Sequence, residues 1–503
     1  MSFERIQYEE LKKKVTDVNT AVSLIKDGMV VASSGFTKSG DSKEVLPALA
    51  EKSKDQDLKV TLLTGASLGH DTDGKLAAAG VLKKRMPFQV DRILRSKINS
   101  GEVLFIDQHL SESAEVVHNK TLNIDVAIIE VAYIDREGNL VPTTSVGNTV
   151  TFASCAKKVI IEINEAVNPD IYGLHDIYQA EDYPFRNVIP IIRPWNKIGS
   201  KTIRIDPEKI AAIVFTNKRD SPADIAAADE KTTAIASHIL RFFEEEVQKG
   251  HLTPRLLPLQ AGIGKVANAV LTGFKDSDFY DLTMFSEVLQ DSTFDLIDAG
   301  KLSFASASSI TVSDACYDRV FENLQRYREK IVLRPQNISN TPGLIRRLGV
   351  IAMNTAIEFD IYGNVNSTHI TGSQIMNGIG GSGDFARNSY LSIFVAPSAS
   401  KNNTISHVLP MVSHVDHTEH DVDILVTDQG LADLRGLAPR ERAQEIIDNC
   451  VHPEYKEQLQ SYFDRACQRG GHTPHLLEEA FSWHVNFKEN KTMKVNAEIC
   501  ENY

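Results

Sequence analysis

One acidic residue stands in an apolar stretch of the sequence. Glu287 lies in the segment DLTMFSEVLQ, residues 281–290, whose apolar members predict a buried strand. Burying an unpaired carboxylate costs several kcal/mol, on the order of what a whole core side chain contributes. A charged partner or a solvated strand face would account for Glu287 without any chemistry. The alternative is that the strand delivers a functional carboxylate to its carboxyl end.

Glycine is concentrated in a second segment. Residues 378–385 read GIGGSGDF, which places Gly378, Gly380, Gly381 and Gly383 within six residues. Such a density allows the backbone to approach another group closely, most simply an oxyanion or a phosphate. The order is not that of the dinucleotide-binding fingerprint, and no acidic residue follows where a ribose would require one. A flexible loop is the less favoured alternative.

An apolar strand, a glycine-rich turn and a helix follow one another near the start of the chain. The strand and turn read GMVVASSGFTKSG at residues 28–40. This unit can direct backbone N–H groups at an anion, or it can be a tight strand–helix connection and nothing more. The sequence leaves both interpretations open.

Histidines and acids are crowded into residues 408–420, VLPMVSHVDHTEH. A metal site is the less favoured interpretation, because the spacing matches no metal-binding motif and no second cluster completes it. We expect a hydrogen-bonded structural network beneath a cleft, and no bound metal.

Alternating strands and helices are expected to position these residues. Runs rich in Val, Ile and Leu occur at 58–63, 125–131 and 159–163, and helical segments lie between them. Runs of this kind are typical of parallel strands that are covered on both faces. The sequence therefore predicts an α/β fold with largely parallel sheets.

The second half of the chain repeats the order of the first. Residues 281–287 align with residues 57–63, and both halves contain a strand, a glycine turn and a helix in succession. We interpret this as an internal duplication that gives two related open α/β lobes with the active-site cleft between them. A polar, proline-containing linker divides the chain into residues 1–225 and residues 226–503, and Glu287 lies in the second lobe only.

The overall composition disfavours several classes of partner. The 503 residues carry a net charge of −13, which argues against nucleic acid and anionic membranes. No run of about eighteen apolar residues predicts a membrane span, and the first residues lack the apolar core of a signal peptide. The five cysteines show no CxxC spacing, as expected in a reducing compartment. We therefore expect a cytoplasmic protein.

Five motifs give the chain a resemblance to a known family. They read GIGKVANAV, SEVLQD, IYGNVNSTH, GIGGSGDFARN and HVLPMVSHVDHTEHDVDILVTDQGLADLRGL, and they begin at residues 262, 286, 361, 378 and 407. The chain resembles the class I coenzyme A-transferases, in the branch of the succinyl-CoA:acetate CoA-transferases and acetyl-CoA hydrolases. The resemblance covers nearly the full length.

The resemblance implies roles for particular residues. Glu287 falls on the covalent nucleophile of the family, and backbone amides near Ile263 and Gly381 on its oxyanion pocket. The remaining implied positions all bind the coenzyme: Gly262, Gly264, Asn340, Gly378, Gly380 and Lys401. Asn340 among them is expected near the thioester.

Two positions depart from the family pattern. Lys401 lies in SKNN, where a more glycine-rich turn is expected, so its correspondence to a basic coenzyme contact is loose. Asp428 stands where the family has a glutamate, and a shorter carboxylate there would alter the acyl-acceptor preference or the access to the channel.

The implied activity is transfer of coenzyme A from succinyl-, acetyl- or propionyl-CoA to a small carboxylic acid. It would proceed through an acyl-glutamyl anhydride and a glutamyl-CoA thioester, with coenzyme A as substrate, no tightly bound cofactor and no metal. A homodimer is expected because symmetric dimers are the commonest assemblies. The alternatives are an acetyl-CoA hydrolase that uses the same glutamate and a non-catalytic acyl-CoA-binding protein.

Overall fold

The computed structural model describes residues 3–54, 56–223 and 228–494. The chain forms two compact units, each assembled from several segments. The first comprises Met1–Asp224, Asp281–Leu348 and Asn377–Asp384, and the second comprises Ile225–Tyr280, Gly349–Met376 and Phe385–Tyr503. Glu287 therefore belongs to the first unit. The predicted lobe boundary between residues 225 and 226 lies outside the described residues.

The strands of the described residues are short, and most are buried. In chain order they are β1 (Val30–Ser33), β2 (Val60–Leu63), β3 (Leu82–Met86), β4 (Leu104–Phe105), β5 (Val126–Val131), β6 (Tyr133–Ile134), β7 (Leu140–Val141), β8 (Lys158–Asn164), β9 (Ile210–Thr216), β10 (Leu259–Ala261), β11 (Leu282–Phe285), β12 (Val288–Leu289), β13 (Leu302–Ala307), β14 (Ser309–Ile310), β15 (Ile331–Leu333), β16 (Ile351–Thr355), β17 (Glu358–Asp360), β18 (Val365–Asn366), β19 (His369–Ile370), β20 (Gln374–Ile375), β21 (Leu391–Val395), β22 (Ala399–Ser400), β23 (Ile405–Ser406), β24 (Val408–Leu409), β25 (Ile424–Val426) and β26 (Leu431–Asp433).

Helices alternate with these strands. In chain order the α-helices are α1 (Val18–Val22), α2 (Val45–Ser53), α3 (Thr72–Ala78), α4 (Arg92–Asn99), α5 (Glu115–His118), α6 (Thr149–Cys155), α7 (Glu230–Gln248), α8 (Lys265–Lys275), α9 (Asp291–Asp298), α10 (Asp314–Phe321), α11 (Leu324–Tyr327), α12 (Gln336–Ser339), α13 (Pro342–Leu348), α14 (Ser382–Ala386), α15 (Pro439–Cys450), α16 (Pro453–Arg469) and α17 (Ser482–Asn490). No helix in the described ranges has both the length and the apolar character needed to cross a bilayer.

The first unit is built on a seven-stranded parallel sheet with the order β4-β3-β2-β1-β5-β8-β9. The apolar runs predicted as strands form β2, β5 and β8, and all six residues of β5 are buried. Such strands are apolar on both sides because helices cover both faces of the sheet. The same unit contains β11, β13 and β15, which pair in parallel in the order β15-β13-β11.

The second unit has a parallel set in the order β10-β16-β21-β25, with β26 antiparallel at its end. Helices α15 and α16 bury Ile446, Ile447 and Leu459 in one apolar core together with Phe394 and Leu425 of the strands. The predicted α/β fold with largely parallel sheets is confirmed.

The strand orders support the predicted internal duplication. The order β15-β13-β11 matches β4-β3-β2, and the order β10-β16-β21-β25 matches β1-β5-β8-β9. The detailed alignment of the repeats was wrong by two residues, because β11 and β2 correspond as Leu282–Phe285 and Val60–Leu63. Glu287, two residues past the end of β11, therefore corresponds to Gly65 and not to Leu63.

The backbone N–H groups that follow the glycine turn after β1 bind an acidic side chain of the protein itself, Glu162. At the start of α2 the backbone N–H groups of Lys43 and Glu44 donate to the carboxylate of Glu162, at 2.5 and 3.1 Å. The N–H of Val45 and the hydroxyl of Ser42 donate to the same carboxylate at 3.3 and 2.9 Å. Since a helix N-terminus favours a negative group, this turn is explained by an internal cap on α2 from β8.

Candidate active site

The backbone around Glu287 is held between two short strands. β11 ends at Phe285 and β12 begins at Val288, so the predicted single strand is interrupted at the acidic residue. The carbonyl oxygen of Glu287 accepts hydrogen bonds from the N–H groups of Ser308 and Ser309, at 2.8 and 3.1 Å. The carboxyl end of the strand therefore delivers this carboxylate, as the sequence predicts.

The carboxyl group of Glu287 lies against an amide and a glycine. Nδ2 of Asn340, which is fully buried, donates to Oε1 of Glu287 at 2.8 Å. A Cβ atom at Gly381 would lie 2.5 Å from Cδ of Glu287 and nearer still to Oε1. Real Cβ atoms do not approach so closely, so any other residue at this position would displace the Glu287 carboxyl or the Asn340 amide.

A second carboxylate shares the same amide. Nδ2 of Asn340 also donates to Oδ2 of Asp384, at 3.2 Å, and Asp384 is buried at the start of α14. The N–H and the hydroxyl of Ser111 donate to Asp384 at 3.0 and 2.5 Å. The site thus contains two carboxylates linked through one amide.

Burial sets the electrostatics of both carboxyl groups. Desolvation raises the pKa of Glu287 to about 7; the hydrogen bond from Asn340 opposes the shift and the nearby charge of Asp384 adds to it. Desolvation likewise raises the pKa of Asp384 to about 6, against the hydrogen bonds from Ser111 and Asn340 and the charge of His109. Glu287 as a whole is only half-buried, so its carboxyl is desolvated without being sealed off.

The glycine loop is anchored to the segment that follows β4. The N–H of Ile379 donates to Oδ1 of Asp107 at 2.8 Å, and the N–H of Leu110 donates to the carbonyl oxygen of Gly380 at 3.3 Å. A Cβ atom at Gly378 would lie 2.8 Å from the same Asp107 oxygen. The glycines therefore allow the backbone of the loop to lie close to other groups of the protein, as predicted. These groups are the side chains of Asp107 and Glu287.

Val288, the residue after Glu287, belongs to a small apolar cluster. Val288 packs with Phe36, Ala66 and Leu110, and the partly buried Phe88 lies against them. Apolar surroundings exclude water and strengthen every electrostatic interaction nearby. The arrangement suits a carboxylate that attacks a carbonyl carbon, or one that exchanges a proton near neutral pH.

Comparison with known proteins decides the family. The model of the acetyl-CoA hydrolase/transferase N-terminal domain matches residues 1–215, and that of the C-terminal domain matches residues 317–463. A succinyl-CoA:acetate CoA-transferase of Clostridium kluyveri is 49% identical over 495 residues, which cover 98% of this chain and 92% of that protein. The chain belongs to the acetyl-CoA hydrolase/transferase family. The resemblance seen in the sequence, and the prediction of a CoA-transferase-type enzyme, are confirmed.

Other relatives in the family carry two kinds of name. An acetyl-CoA hydrolase of Kluyveromyces lactis is 44% identical and covers 98% of each chain. A propanoyl-CoA:succinate CoA transferase of Escherichia coli is 44% identical and covers 93% of this chain and 96% of its own. Membership of the family therefore supports CoA transfer or hydrolysis. It does not distinguish between these two activities.

Solved structures show the same fold at low sequence identity. RipA from Yersinia pestis superposes with a TM-score of 0.72 and 22% identity, over 93% of this chain and 100% of its own. A 4-hydroxybutyrate CoA-transferase from Porphyromonas gingivalis gives a TM-score of 0.63 and 20% identity, over 92% of this chain and 100% of its own.

The residues implied by the family resemblance fall into two groups. Glu287, Asn340, Gly378, Gly380 and Gly381 belong to the first unit, where Asn340 and Gly381 lie directly against the Glu287 carboxyl. Gly378 lies close to Asp107, and the carbonyl oxygen of Gly380 accepts from the N–H of Leu110. Their predicted contact with coenzyme A stays a prediction.

The other group belongs to the second unit. Ile263 is half exposed in the turn between β10 and α8, and Gly264, with φ +120°, is the residue before that helix. The N–H of Gly262 donates to a backbone carbonyl at 3.0 Å. Lys401 is exposed, has φ +50° and places Nζ 5.7 Å from the ring centre of Phe487. The oxyanion role of Ile263 and the coenzyme contact of Lys401 stay predictions.

The aspartate that departs from the family pattern is firmly bonded. Asp428 accepts hydrogen bonds from the N–H of Ser398 at 2.5 Å and from the side chain of Gln429 at 2.8 Å. Burial favours its neutral form, but these bonds hold the pKa of Asp428 below its usual value. It is therefore a carboxylate at neutral pH.

The histidine-rich segment of the second unit forms a hydrogen-bonded network. Asp416 accepts from the N–H of Ser367 at 2.7 Å and from the hydroxyl of Thr368 at 2.9 Å, and His414 lies 3.3 Å from it. Within residues 3–54, 56–223 and 228–494, no group of three or more His, Cys, Asp or Glu side chains is arranged to hold a metal ion.

Sequence reasoning missed Ser111 and the bond between Asp384 and Asn340. Ser111 and Asp384 are 273 residues apart in the chain, and no local pattern joins them. One signal was available: the apolar run at residues 103–106 is followed by the polar residues Asp107, Gln108, His109 and Ser111. Polar residues at the carboxyl ends of parallel strands meet at one edge of a sheet, where sites in α/β proteins form.

Proposed function

We propose that the protein is a CoA-transferase that moves coenzyme A from an acyl-CoA to a small carboxylic acid, with Glu287 as the covalent nucleophile. The observation that carries the proposal is the Glu287 carboxyl, desolvated and bonded to Asn340 beside a glycine that leaves it room. A carboxylate freed from water is a stronger nucleophile than a hydrated one, and a nearby hydrogen-bond donor fixes the direction of its attack.

The proposed reaction has two covalent intermediates. The Glu287 carboxylate attacks the thioester carbonyl carbon, the C–S bond breaks, and CoA thiolate leaves an acyl-glutamyl anhydride. The thiolate then attacks the carbonyl carbon of Glu287, the acid leaves as its carboxylate, and a glutamyl-CoA thioester remains. An acceptor carboxylate reverses both steps, giving a new acyl-CoA and free Glu287. Each step exchanges one nucleophile for another, so no proton, metal or thiol of the protein is consumed.

In this scheme Asn340 stabilises charge on the enzyme's own glutamyl group. When the thiolate attacks the anhydride, negative charge develops on the oxygen of Glu287 to which the Asn340 amide donates at 2.8 Å in the resting enzyme. A donor aimed at such an oxyanion is worth about a hundredfold to a thousandfold in rate. Backbone amides near Gly381 and Ile263 are the proposed donors to the oxygen of the substrate.

The relatives support the class of substrates. Those named above as transferases act, by their names, between succinyl-CoA and acetate and between propanoyl-CoA and succinate. We infer that coenzyme A binds as a substrate and as the covalent glutamyl thioester, with acetate, propionate or succinate as acceptor. The homodimer and the cytoplasmic location expected from the sequence belong to this proposal.

Hydrolysis is the second candidate function. It is favoured by the half-buried state of Glu287, which leaves part of the residue accessible, and by the hydrolases among the relatives. Water would attack the anhydride or the thioester and release the acid and free thiol. An assay with acetyl-CoA, in the presence and absence of succinate, distinguishes the two activities. Formation of succinyl-CoA without net thiol supports transfer, whereas thiol release at a rate independent of succinate supports hydrolysis.

Trapping the covalent intermediate tests the proposal directly. Borohydride added to the enzyme with acyl-CoA reduces a glutamyl thioester to an alcohol, which changes the mass of the peptide that contains Glu287. We expect the modified peptide in the wild type and none in Glu287→Gln, whose turnover falls about a thousandfold or more. An unmodified Glu287 peptide during turnover rules out the covalent scheme and leaves a protein that acts otherwise or only binds acyl-CoA.

A further inference from the structure

The amide of Asn340 is oriented from one side only. Its NH2 group donates to Glu287 and to Asp384, at 2.8 and 3.2 Å. Its carbonyl oxygen is buried and has no hydrogen-bond partner among the described residues. Because the two ends of an amide have nearly the same shape, only these bonds distinguish the observed orientation from the reversed one. A reversed amide would present its oxygen to the carboxylate of Glu287 and repel it.

Asp384 is the fixed member of this arrangement. Its two oxygens receive the N–H of Ser111 at 3.0 Å and the Ser111 hydroxyl at 2.5 Å, and only 4% of the residue is exposed. Glu287, in contrast, changes during the proposed reaction from carboxylate to anhydride to thioester. A hydrogen bond to Glu287 therefore has an acceptor that changes in charge and position at each step, whereas the acceptor on Asp384 stays the same.

We propose that Asp384, held by Ser111, is a positioning residue that keeps the NH2 group of Asn340 directed at Glu287 throughout the reaction. The proposal rests on the proposed function, since it assigns a role within the chemistry of Glu287. Asp384 acts on the reaction through the Asn340 amide that donates to it; because its charge also raises the pKa of Glu287, kcat is compared above pH 8, where that shift no longer limits the rate. Its loss should therefore lower kcat and leave KM for acyl-CoA nearly unchanged.

A double-mutant cycle tests this dependence. We expect Asp384→Ala to lower kcat about tenfold to a hundredfold, as expected for a misplaced donor. Adding Asp384→Ala to Asn340→Ala should cause no further loss, because the residue through which Asp384 acts is already gone. Additive losses in the double variant overturn the proposal, because they mean that Asp384 acts independently of Asn340.

A conservative variant and a matched control complete the test. In Asp384→Asn the remaining carbonyl oxygen can still accept from Asn340 and from the Ser111 N–H, and the new NH2 can donate to the Ser111 hydroxyl, so kcat should recover to within a few-fold of the wild type. Asp291 accepts from the N–H and hydroxyl of Ser313 at 2.9 and 2.5 Å, the same pair of bonds that Asp384 receives. Asp291→Ala should lower the unfolding midpoint but keep kcat, and an equal loss of kcat there overturns the proposal.

The experiments distinguish a wrong role for Asp384 from a wrong function for the protein. If borohydride modifies Glu287 in the wild type but the cycle is additive, only the role of Asp384 is wrong. If Glu287 is never modified, the covalent scheme itself is wrong. Should Asp384→Ala not fold, Ser111→Ala carries the same cycle, because it deletes one bond to Asp384 and no charge. Its loss of kcat must then vanish in the Asn340→Ala background.

Discussion

At the scale of single residues, the proposed reaction depends on the carboxyl group of Glu287, whose pKa is near neutrality. Burial supplies most of this shift, and the charge of Asp384 adds to it. A nucleophile must be ionised when it attacks, so the raised pKa of Glu287 makes a fraction of the free enzyme inactive at pH 7. The same desolvation strengthens the carboxylate that remains, which is the usual compromise at a catalytic group.

The first prediction concerns pH. Because the pKa of Glu287 is about 7, kcat/KM should fall tenfold per pH unit as the pH drops below 7 and should level off above 8. The measurement is the initial rate of CoA transfer from pH 5.5 to 9 at low acyl-CoA. A rate that stays constant down to pH 5.5 would contradict an ionisation of Glu287 in this range.

The second prediction concerns stability. The folded pKa of Glu287 lies above its ordinary value of 4.5, so the folded protein binds the proton more tightly and loses this stabilisation as the pH rises through 7. The neutral variant Glu287→Gln should therefore unfold at a higher urea concentration than the wild type at pH 8. Each pKa unit corresponds to about 1.4 kcal/mol, so we expect a gain of about 1–3 kcal/mol. Near pH 4 the two proteins should unfold together, and a difference that persists there would refute this account.

The third prediction concerns the glycine loop. In Gly381→Ala the new methyl group would occupy the space of the Glu287 carboxyl, so the variant should lose activity at least about a hundredfold. Gly343→Ala is the matched control, because nothing lies within 4 Å of a Cβ atom there and the residue is at the start of α13. The control should fold and turn over like the wild type. Equal activity of the two variants would show that the close approach at Gly381 has no bearing on the chemistry.

Much of the site, but not its hydrogen bonding, could be predicted from the sequence. The acid in an apolar strand and the cluster of glycines marked Glu287 and Gly381, because both are costly without a reason. The resemblance to a family added Asn340. Nothing local marked Ser111 as the partner of Asp384, because a hydrogen bond between distant segments depends on the complete fold and leaves no pattern in either segment.

At the scale of elements, strand β8 supplies the cap of helix α2. The Glu162 carboxylate takes three backbone N–H groups at the start of the helix, of which the nearest is that of Lys43 at 2.5 Å. Helix N-termini leave these donors without partners inside the helix, and they are usually satisfied by the side chain just before the helix. A cap from a neighbouring strand also fixes the helix against the sheet.

The fourth prediction follows from this cap. Glu162→Ala leaves buried N–H groups without acceptors and should lower the free energy of unfolding by about 1–3 kcal/mol. Glu162→Gln keeps one oxygen as an acceptor and should lose clearly less. Urea unfolding followed by far-ultraviolet circular dichroism compares the two. An equal loss in both variants would mean that the charge, and not the hydrogen bonding, stabilises α2.

The sequence predicted the strands that have a clear hydrophobic pattern. β2, β5 and β8 are apolar runs, and the sequence predicts them because buried parallel strands are apolar on both faces. β3, with the sequence LKKRM, was missed, because two lysines and an arginine conceal it. Arg85 of this strand is nonetheless fully buried, since Asp73 accepts from its Nε at 2.8 Å. Lys83 is exposed and Lys84 half-buried, so the strand lacks the continuous apolar pattern by which the other strands were predicted.

At the scale of the whole molecule, the same strand order occurs twice but the proposed nucleophile, Glu287, occurs once. In the N-terminal repeat the position equivalent to Glu287 is Gly65, two residues past the end of β2. This asymmetry was expected from the sequence, although the residue that takes the equivalent position was not. The parallel sheets determine where a reactive side chain can stand, and the residue types determine which of the equivalent positions is used.

The crowding at Gly65 has an evolutionary consequence. A Cβ atom there would press into the carbonyl oxygen of Gly35 and lie 3.0 Å from Oε1 of Gln336. Replacing Gly65 by glutamate would therefore require the backbone of the neighbouring turn to move as well. A carboxylate at the position equivalent to Glu287 thus cannot arise in the first repeat by one substitution without a change in the surrounding backbone.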